Sequence, residues 1–246
     1  MILLLSDLHL PNEPSPLREG FLRFLDGPAR AAEAVYILGD LFEYWVGDDV
    51  GLHDYAAEVA ALQTLSSSGV KLYFMAGNRD FLVGRRFASA SGTRILKDPQ
   101  LVDFGGMRTL ISHGDRYCSD DVGYQRWRHF SRNAFVQWLF MRLPRDTRHK
   151  IAGGLRHKSG AEKRNKPSAI MDVNETAIRT AMQQQNVTHM IHGHTHRPAD
   201  HLLQLRGGVR ATRIVLADWH LDRMQYLSID AHGNCIRRLI EDPAAG

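Results

Sequence analysis

An α/β fold carrying a helical insertion is predicted by three features of this sequence. Strand-like apolar runs (ILLLS, AVYILG, KLYFMAG, TLIS and THMIHG) alternate with segments of helical periodicity. Each run closes in a short acid-, amide- or histidine-bearing block: SDLH, GD, GNRD, SHGD and HGHTH. Between the fourth and fifth blocks the rhythm breaks, and residues 116–166 carry thirteen Lys/Arg against four Asp/Glu while the rest of the chain is net acidic. A basic block inside an otherwise acidic chain marks a region that meets something anionic.

Taken in order, the first strand run is followed by a helix over Pro16–Ala34, with Phe21, Phe24 and Leu25 at i, i+3 and i+4. A second helix spans Tyr55–Ser67, with Val59, Leu62 and Leu65 on one face. The basic block reads as Val122–Asn133, Phe135–Leu143 and Asp146–Arg156, broken at Pro144 and at Gly153–Gly154. Phe135, Trp138, Leu139 and Leu143 fall on one stripe. Val173–Gln185 is a helix with Asn174 as N-cap, feeding the strand before HGHTH. The C-terminal third is β: Ala211–Ala217, Met224–Ile229 and Cys235–Ile240. We therefore expect one domain over 1–246 with an insertion at about 120–166.

A hydrophobic content of 43% suits a globular domain with a full core. Cys118 and Cys235 stand far apart, with no CxxC pair, which argues against a disulfide framework or zinc ribbon and fits a reducing cytosol. Ile2–Leu5 is too short for a signal peptide, and no run approaches the ~20 apolar residues that span a bilayer. The expected location is cytoplasmic, at most on a membrane surface.

Parallel strands in a βαβα pattern deliver their C-terminal loops to one sheet edge. Five loops offering carboxylate, amide or imidazole, without thiolate, make a site for divalent metal ions. Residues two apart in a strand share a side, so Asp7 and His9 can grip one ion as the first strand ends. Asp40, with two carboxylate oxygens, can bridge two ions about 3.5–4 Å apart. Asn78, His113, His194 and His196 complete a set of seven ligands, suited to two ions. One such block alone is usually only a turn; jointly, placed after strands, they carry weight. Asp80 and Asp115 read as partners orienting Arg79 and His113, and His192 or His189 as supporting or packing residues. His53, His149, His201 and His232 read as surface residues.

The ordered set DLH, GD, GNRD, HGD and GHTH resembles the calcineurin-like metallophosphoesterase family. That resemblance implies a four-layered αββα sandwich with a dinuclear centre. It places Asp7, His9, Asp40 and His196 on one ion and Asp40, Asn78, His113 and His194 on the other, with two Mn²⁺ as the implied cofactor. The segments YILGDLFEYWVGDD, GNRDFLVGRRFA, SHGDRYCSDDVGYQ, AIMDVN and HGHTHRPA narrow it. They resemble the branch that cleaves the pyrophosphate of a lipid-linked UDP-sugar in lipid A biosynthesis, on the cytoplasmic face of the bacterial inner membrane. The resemblance runs from Leu4 to about Trp219.

Many relatives carry histidine where this chain has Arg79. Arginine cannot give up its proton, so it is a poor general acid but a good fork for phosphate oxygens. A phosphate leaving group needs charge neutralisation more than protonation, which favours pyrophosphate cleavage. The implied catalytic residues are Asp40, Asn78, Arg79 and His113. Substrate contacts fall to Asn78, Arg79, Asp121, Ser159, Lys163, Lys166 and His194. Lys163 stands where better-known relatives have a polar group such as Asn, and His220 differs from the acidic or apolar residue expected there.

The apolar residues of the insertion (Trp127, Phe130, Phe135, Trp138, Phe140 and Met141 among them) exceed what short surface helices need. Read with the resemblance, they form a lid over acyl chains. Arg126, Arg128, Arg132, Arg142, Arg145 and Arg148 are candidates for phosphates or anionic lipid headgroups. A basic aromatic stretch also fits nucleic acid. The alternatives are a generic phosphodiesterase acting on nucleotides or nucleic acid, and a metal-dead scaffold for protein contacts. Arg79 and the apolar lid count against the first, and the complete ligand set against the second; no nucleic acid and no obligate protein partner are expected.

Overall fold

The computed structural model describes residues 1–165 and 172–240, with the helical backbone alone for 157–165. Its strands fall into two sheets. The first holds β1 (Ile2–Leu5), β2 (Ala34–Leu38), β3 (Lys71–Met75), β4 (Thr93–Leu96), β10 (Gln225–Ile229) and β11 (Cys235–Leu239), in the order β11-β10-β1-β2-β3-β4. The second holds β5 (Gln100–Phe104), β6 (Met107–Ser112), β7 (His189–His192), β8 (Ala199–Gln204) and β9 (Arg210–Val215), in the order β5-β6-β7-β9-β8. β1, β2, β3 and β4 run parallel, as do β6, β7 and β9.

Both faces of the central strands are covered, which is why they read as unbroken apolar runs. In β1, Leu3 and Leu5 point to one core with Val35, Ile37 and Phe74, packed under α1 (Pro16–Asp26), α3 (Ala56–Ser67) and α4 (Arg85–Ser91). Leu4 points the other way, into a second core where Tyr36, Leu38 and Met75 meet Ile111, Ile191 and Ile214 of the other sheet. Met190 and Leu110 face a third core under α8 (Glu175–Gln184), with Ile178 and Met182. Helix, sheet, sheet, helix: the αββα sandwich is present.

The first predicted helix stops early. Gly27 caps α1 by donating to the Arg23 carbonyl, and Pro28 disfavours helical geometry in the residue before it. Asn174 caps α8 as expected, accepting from the Ala177 amide. The short strands β4, β5 and β8 have no counterpart in the sequence reading. β8 is an edge strand whose alternation is weak, with Leu202 87% exposed.

The connection from β6 to β7 carries α5 (Val122–Ser131), α6 (Ala134–Met141) and α7 (Arg145–Asn165). The break expected at Gly153–Gly154 does not occur. Added Cβ atoms at these two glycines would meet nothing within 4 Å, so the pair sits on an open face of a helix that continues through it. Each glycine weakens a helix by only about 1 kcal/mol.

Candidate metal centre

The five blocks leave the C-terminal ends of β1, β2 and β3 in one sheet and β6 and β7 in the other. The expectation of a single sheet edge is thus replaced by two adjoining edges. Backbone bonds lock the loops together. Asp7 N donates to the Gly39 carbonyl (3.0 Å), His9 N to Asp40 (3.0 Å) and Gly193 N to His113 (2.9 Å). Gly39 is required by this closeness: its φ is +89°, and a Cβ there would sit 2.6 Å from His113 Nδ1.

Asp7 and His9 do not share a side by strand alternation, because β1 ends at Leu5 and both have left-handed φ (57° and 49°). Asp40, His194 and His196 do as well, at 52°, 70° and 56°. Outside glycine such a conformation costs on the order of 1–3 kcal/mol. Five of the seven expected ligands therefore sit in strained turns that the surrounding hydrogen bonds enforce.

Asp7, His9 and His196 offer ligand atoms within 4.8 Å of one another, and so do Asp7, Asp40 and His113. Asp7 is common to both clusters. Asp40 also spans them: Oδ2 lies 3.9 Å from His9 Nδ1, and Oδ1 3.7 Å from His113 Nε2. Asn78 Oδ1 lies 3.0 Å from His113 Nε2, and the His194 ring meets that of His113 edge-on at 5.0 Å. All seven expected ligands are thus gathered in one place.

The donor set fits cations. Asp7 and Asp40 are buried side by side, at 0% and 1% exposure. Asp7 Oδ2 accepts from Ser6 Oγ (2.6 Å) and His194 N (2.7 Å), while Oδ1 is buried with no hydrogen-bond donor among the described residues. Burial raises the Asp40 carboxyl above its ordinary range; for Asp7 burial pushes the same way, but the His196 contact and the His113 charge outweigh it and hold the group well below. Burial would depress His113, but Asp40 and Asp7 lift it to about 9. His196 is lifted against burial to about 9 by Asp218 and Asp7. Carboxylates buried this deeply demand positive charge, which divalent ions would supply at the same spot.

Several supporting roles differ from the sequence reading. Asp80 does not hold Arg79; its carboxylate accepts from the amides of Leu41 (2.8 Å) and Gly77 (2.7 Å), clamping two ligand loops together. Burial and the neighbouring Asp40 push Asp80 up to about 7. Arg79 instead donates Nη1 to Glu43 Oε1 (2.8 Å), with Nε 3.7 Å from Asp40 Oδ2. Glu43, missed in the sequence, also contacts Arg156 and lies 3.8 Å from His9. Asp115 makes no hydrogen bond to His113: it receives Tyr124 Oη (2.7 Å), Arg128 Nε (2.8 Å) and Arg132 Nη2 (3.3 Å), and so anchors α5. His192 is fully buried on Gly193 O (2.8 Å) and Arg213 (3.1 Å), and burial with Arg213 lowers it to about 4. His149 is not a plain surface residue: it pairs with Asp54 at 3.6 Å and packs on Tyr44.

Asp218 is the second residue missed. Its Oδ2 lies 3.1 Å from His196 Nδ1 and 2.7 Å from His220 Nε2, and its Oδ1 2.5 Å from Arg223 Nη2. Burial would raise this carboxyl, but His196, His220 and Arg223 hold it below its usual range. The signal was present: Asp218 follows the apolar run IVLA, as the other acids follow theirs.

In the insertion, Arg128, Arg132 and Arg148 are not available for headgroups. Arg148 is 2% exposed and bonds Asp49 (2.6 Å) and the Val46 carbonyl (2.5 Å). Arg145 also reaches Asp49, at 3.3 Å, and Arg142 lies over the Trp138 ring. Phe135, Trp138 and Leu139 of α6 are each more than half exposed. Asp121 is the N-cap of α5, accepting from Tyr124 N. The side chains of Ser159 and Lys163, and all of Lys166, lie outside the described residues. Among the described residues no helix is long and apolar enough to cross a membrane.

Two carboxylate–imidazole clusters that share Asp7, on the loops of a double sheet, suit a pair of divalent ions of the kind that hydrolases use on phosphate esters and anhydrides. The chain belongs to the calcineurin-like phosphoesterase family, whose model matches residues 1–198. Among curated relatives, a UDP-2,3-diacylglucosamine hydrolase of Pseudomonas fluorescens is 47% identical over 234 residues, covering 95% of this chain and 92% of its own. Another of that name, from Edwardsiella ictaluri, is 45% identical over 242 residues, covering 98% and 92%.

Proposed function

We propose that this chain hydrolyses the pyrophosphate bond of UDP-2,3-diacylglucosamine, giving UMP and 2,3-diacylglucosamine 1-phosphate, as a step of lipid A biosynthesis. The observation that carries the reading is the pairing of Arg79 with the metal centre at one end and the exposed apolar face of α6 at the other. The relatives' shared name, over nearly the whole chain, supplies the substrate. Asp7, His9, Asp40, Asn78, His113, His194 and His196 would hold two divalent ions, Mn²⁺ in this reading, with the Asp40 carboxylate between the two clusters. Bound there, the ions would lower the pKa of water and neutralise phosphoryl charge.

The chain's own residues do the rest. Water adds to the uridine-bearing phosphorus, the P–O bond to the bridging oxygen breaks, and the sugar 1-phosphate leaves. Arg79, always protonated and steadied by Glu43, neutralises charge on that leaving phosphate rather than donating a proton. Asn78 and His194 flank the reacting group. Asp121, Ser159, Lys163 and Lys166 serve the nucleotide and sugar, and α5–α7 act as a lid over the acyl chains. Phe135, Trp138 and Leu139, with basic residues such as Arg126 and Arg142, rest on an anionic membrane surface from the cytoplasmic side. Incubating the protein and Mn²⁺ with UDP-2,3-diacylglucosamine should yield UMP and the lipid 1-phosphate. Turnover of simple phosphodiesters with none of this substrate would favour a generic phosphodiesterase instead.

A further inference from the structure

Asp218 and His220 follow β9 and take no part in the function proposed above. We infer that Asp218 is a positioning residue for the metal centre: its carboxylate fixes His196 in the tautomer and orientation that turn Nε2 toward Asp7 and His9. The inference rests on reading those three residues as ligands of one ion.

An imidazole that ligates an ion must be neutral, whatever charge it holds without the ion, and it then carries one N–H and one lone pair. With Asp218 Oδ2 3.1 Å from Nδ1, the N–H belongs there, and the lone pair goes to Nε2. That Nε2 lies 3.5 Å from Asp7 Oδ1 and 3.3 Å from His9 Nε2, among atoms that share an appetite for a cation. The other cluster uses the same device with a different part. His113 Nδ1 meets the Leu38 carbonyl at 2.9 Å, which leaves its Nε2 for Asn78 and Asp40. One histidine is set by the backbone and the other by a side chain, so only the second can be removed by substitution.

Asp218 is itself held rigidly. It is 3% exposed, and His220 and Arg223 donate to its two oxygens. The His220 and Arg223 backbones bond each other at 3.0 Å in both directions. Trp219 N donates to the Asp7 carbonyl at 3.0 Å, tying this segment to the first ligand loop, and the Trp219 ring packs edge-on against Phe21 and Phe24. A carboxylate whose only task was to neutralise Arg223 would need no imidazole on its second oxygen.

The test is Mn²⁺ binding by calorimetry, with electron paramagnetic resonance of the loaded protein and no substrate. Asp218→Ala should lose roughly 10–100-fold in affinity for one ion and keep the other, the range for removing a carboxylate behind a ligating histidine. Its spectrum at two equivalents should change from a spin-coupled pair to isolated Mn²⁺. Asp218→Asn, nearly isosteric, should show the same loss in weaker form and stands in if the alanine variant fails to fold. Two ions bound at wild-type affinity with a coupled spectrum in both Asp218 variants would overturn the inference, as would equal loss of both ions. Wild-type protein that binds two ions but ignores the UDP-lipid would sink the proposed substrate and leave this inference standing.

Discussion

The metal centre and the helical insertion are built by opposite means. In the centre, ligand side chains stand on turns fixed by backbone hydrogen bonds between neighbouring strands, and five of them hold left-handed φ. In the insertion, helices are tethered to the core by arginine–carboxylate pairs, Arg128 and Arg132 on Asp115 and Arg148 on Asp49. The outward face of α6, with Phe135, Trp138 and Leu139, is apolar and stays more than half exposed. The difference teaches where precision is needed. Phosphoryl chemistry tolerates little displacement, so it sits on sheets. Under the proposed function the insertion meets long apolar chains, a task that needs area and adaptability, which ion-pair-tethered helices provide.

The sharpest break between the two regions comes from Asp40→Ala. It should abolish turnover and lower bound Mn²⁺ from about two ions per chain, as metal analysis would show. Full metal content with near-normal rate would end the two-metal account.

A mirror-image change goes in the insertion. Removing the whole segment would strip Arg128 and Arg132 from the buried Asp115 and leave a charge unpaired, so point changes on α6 are the cleaner probe. Replacing Phe135, Trp138 and Leu139 together with Ser should leave metal content and turnover of a small artificial diester intact. Activity on the diacylated substrate in vesicles should fall by an order of magnitude or more. Equal loss on both substrates would make α6 structural.

Arg79→Lys keeps the charge and loses the fork. The rate on the UDP-lipid should drop on the order of ten- to a hundredfold, the 1.5–3 kcal/mol of a charge-assisted hydrogen bond. Arg79→His should not restore it, since the missing function is charge clamping; a fully active histidine variant would refute that role.

The smallest effect is on the tether. The Arg148 hydrogen bond holds Asp49 below its ordinary carboxylate range. A depressed carboxylate stabilises the folded state above its unfolded value of about 3.9 and loses that contribution as pH falls through its folded value. Hydrogen-exchange protection at the start of α7, relative to the intrinsic rate at each pH, should therefore fall below about pH 4, and Asp49→Asn should bring that loss to neutral pH. Unchanged protection in the variant would show that the pair does not anchor the helix.

The ligands were legible in the sequence because each one follows an apolar strand run, and parallel topology converts that pattern into proximity. What misled was local geometry: DLH looks like a strand continuing, but Asp7 and His9 lie beyond β1 in left-handed turns. Glu43 and Asp218 escaped notice because their roles depend on which side chain they face across the fold, Arg79 for one and His196 for the other. Six arginines of the insertion look in the sequence like contacts for phosphates or anionic headgroups; half of them, Arg128, Arg132 and Arg148, are internal tethers, because Asp115 and Asp49 come to lie beneath them only in the folded chain.

In the proposed reaction water attacks on the uridine side, at the metal centre, while the lipid side leaves as a phosphate. Running the reaction in ¹⁸O-water and weighing both products by mass spectrometry tests it most directly. Attack at the uridine-bearing phosphorus puts one ¹⁸O in UMP and none in the lipid 1-phosphate. Label in the lipid 1-phosphate would contradict it.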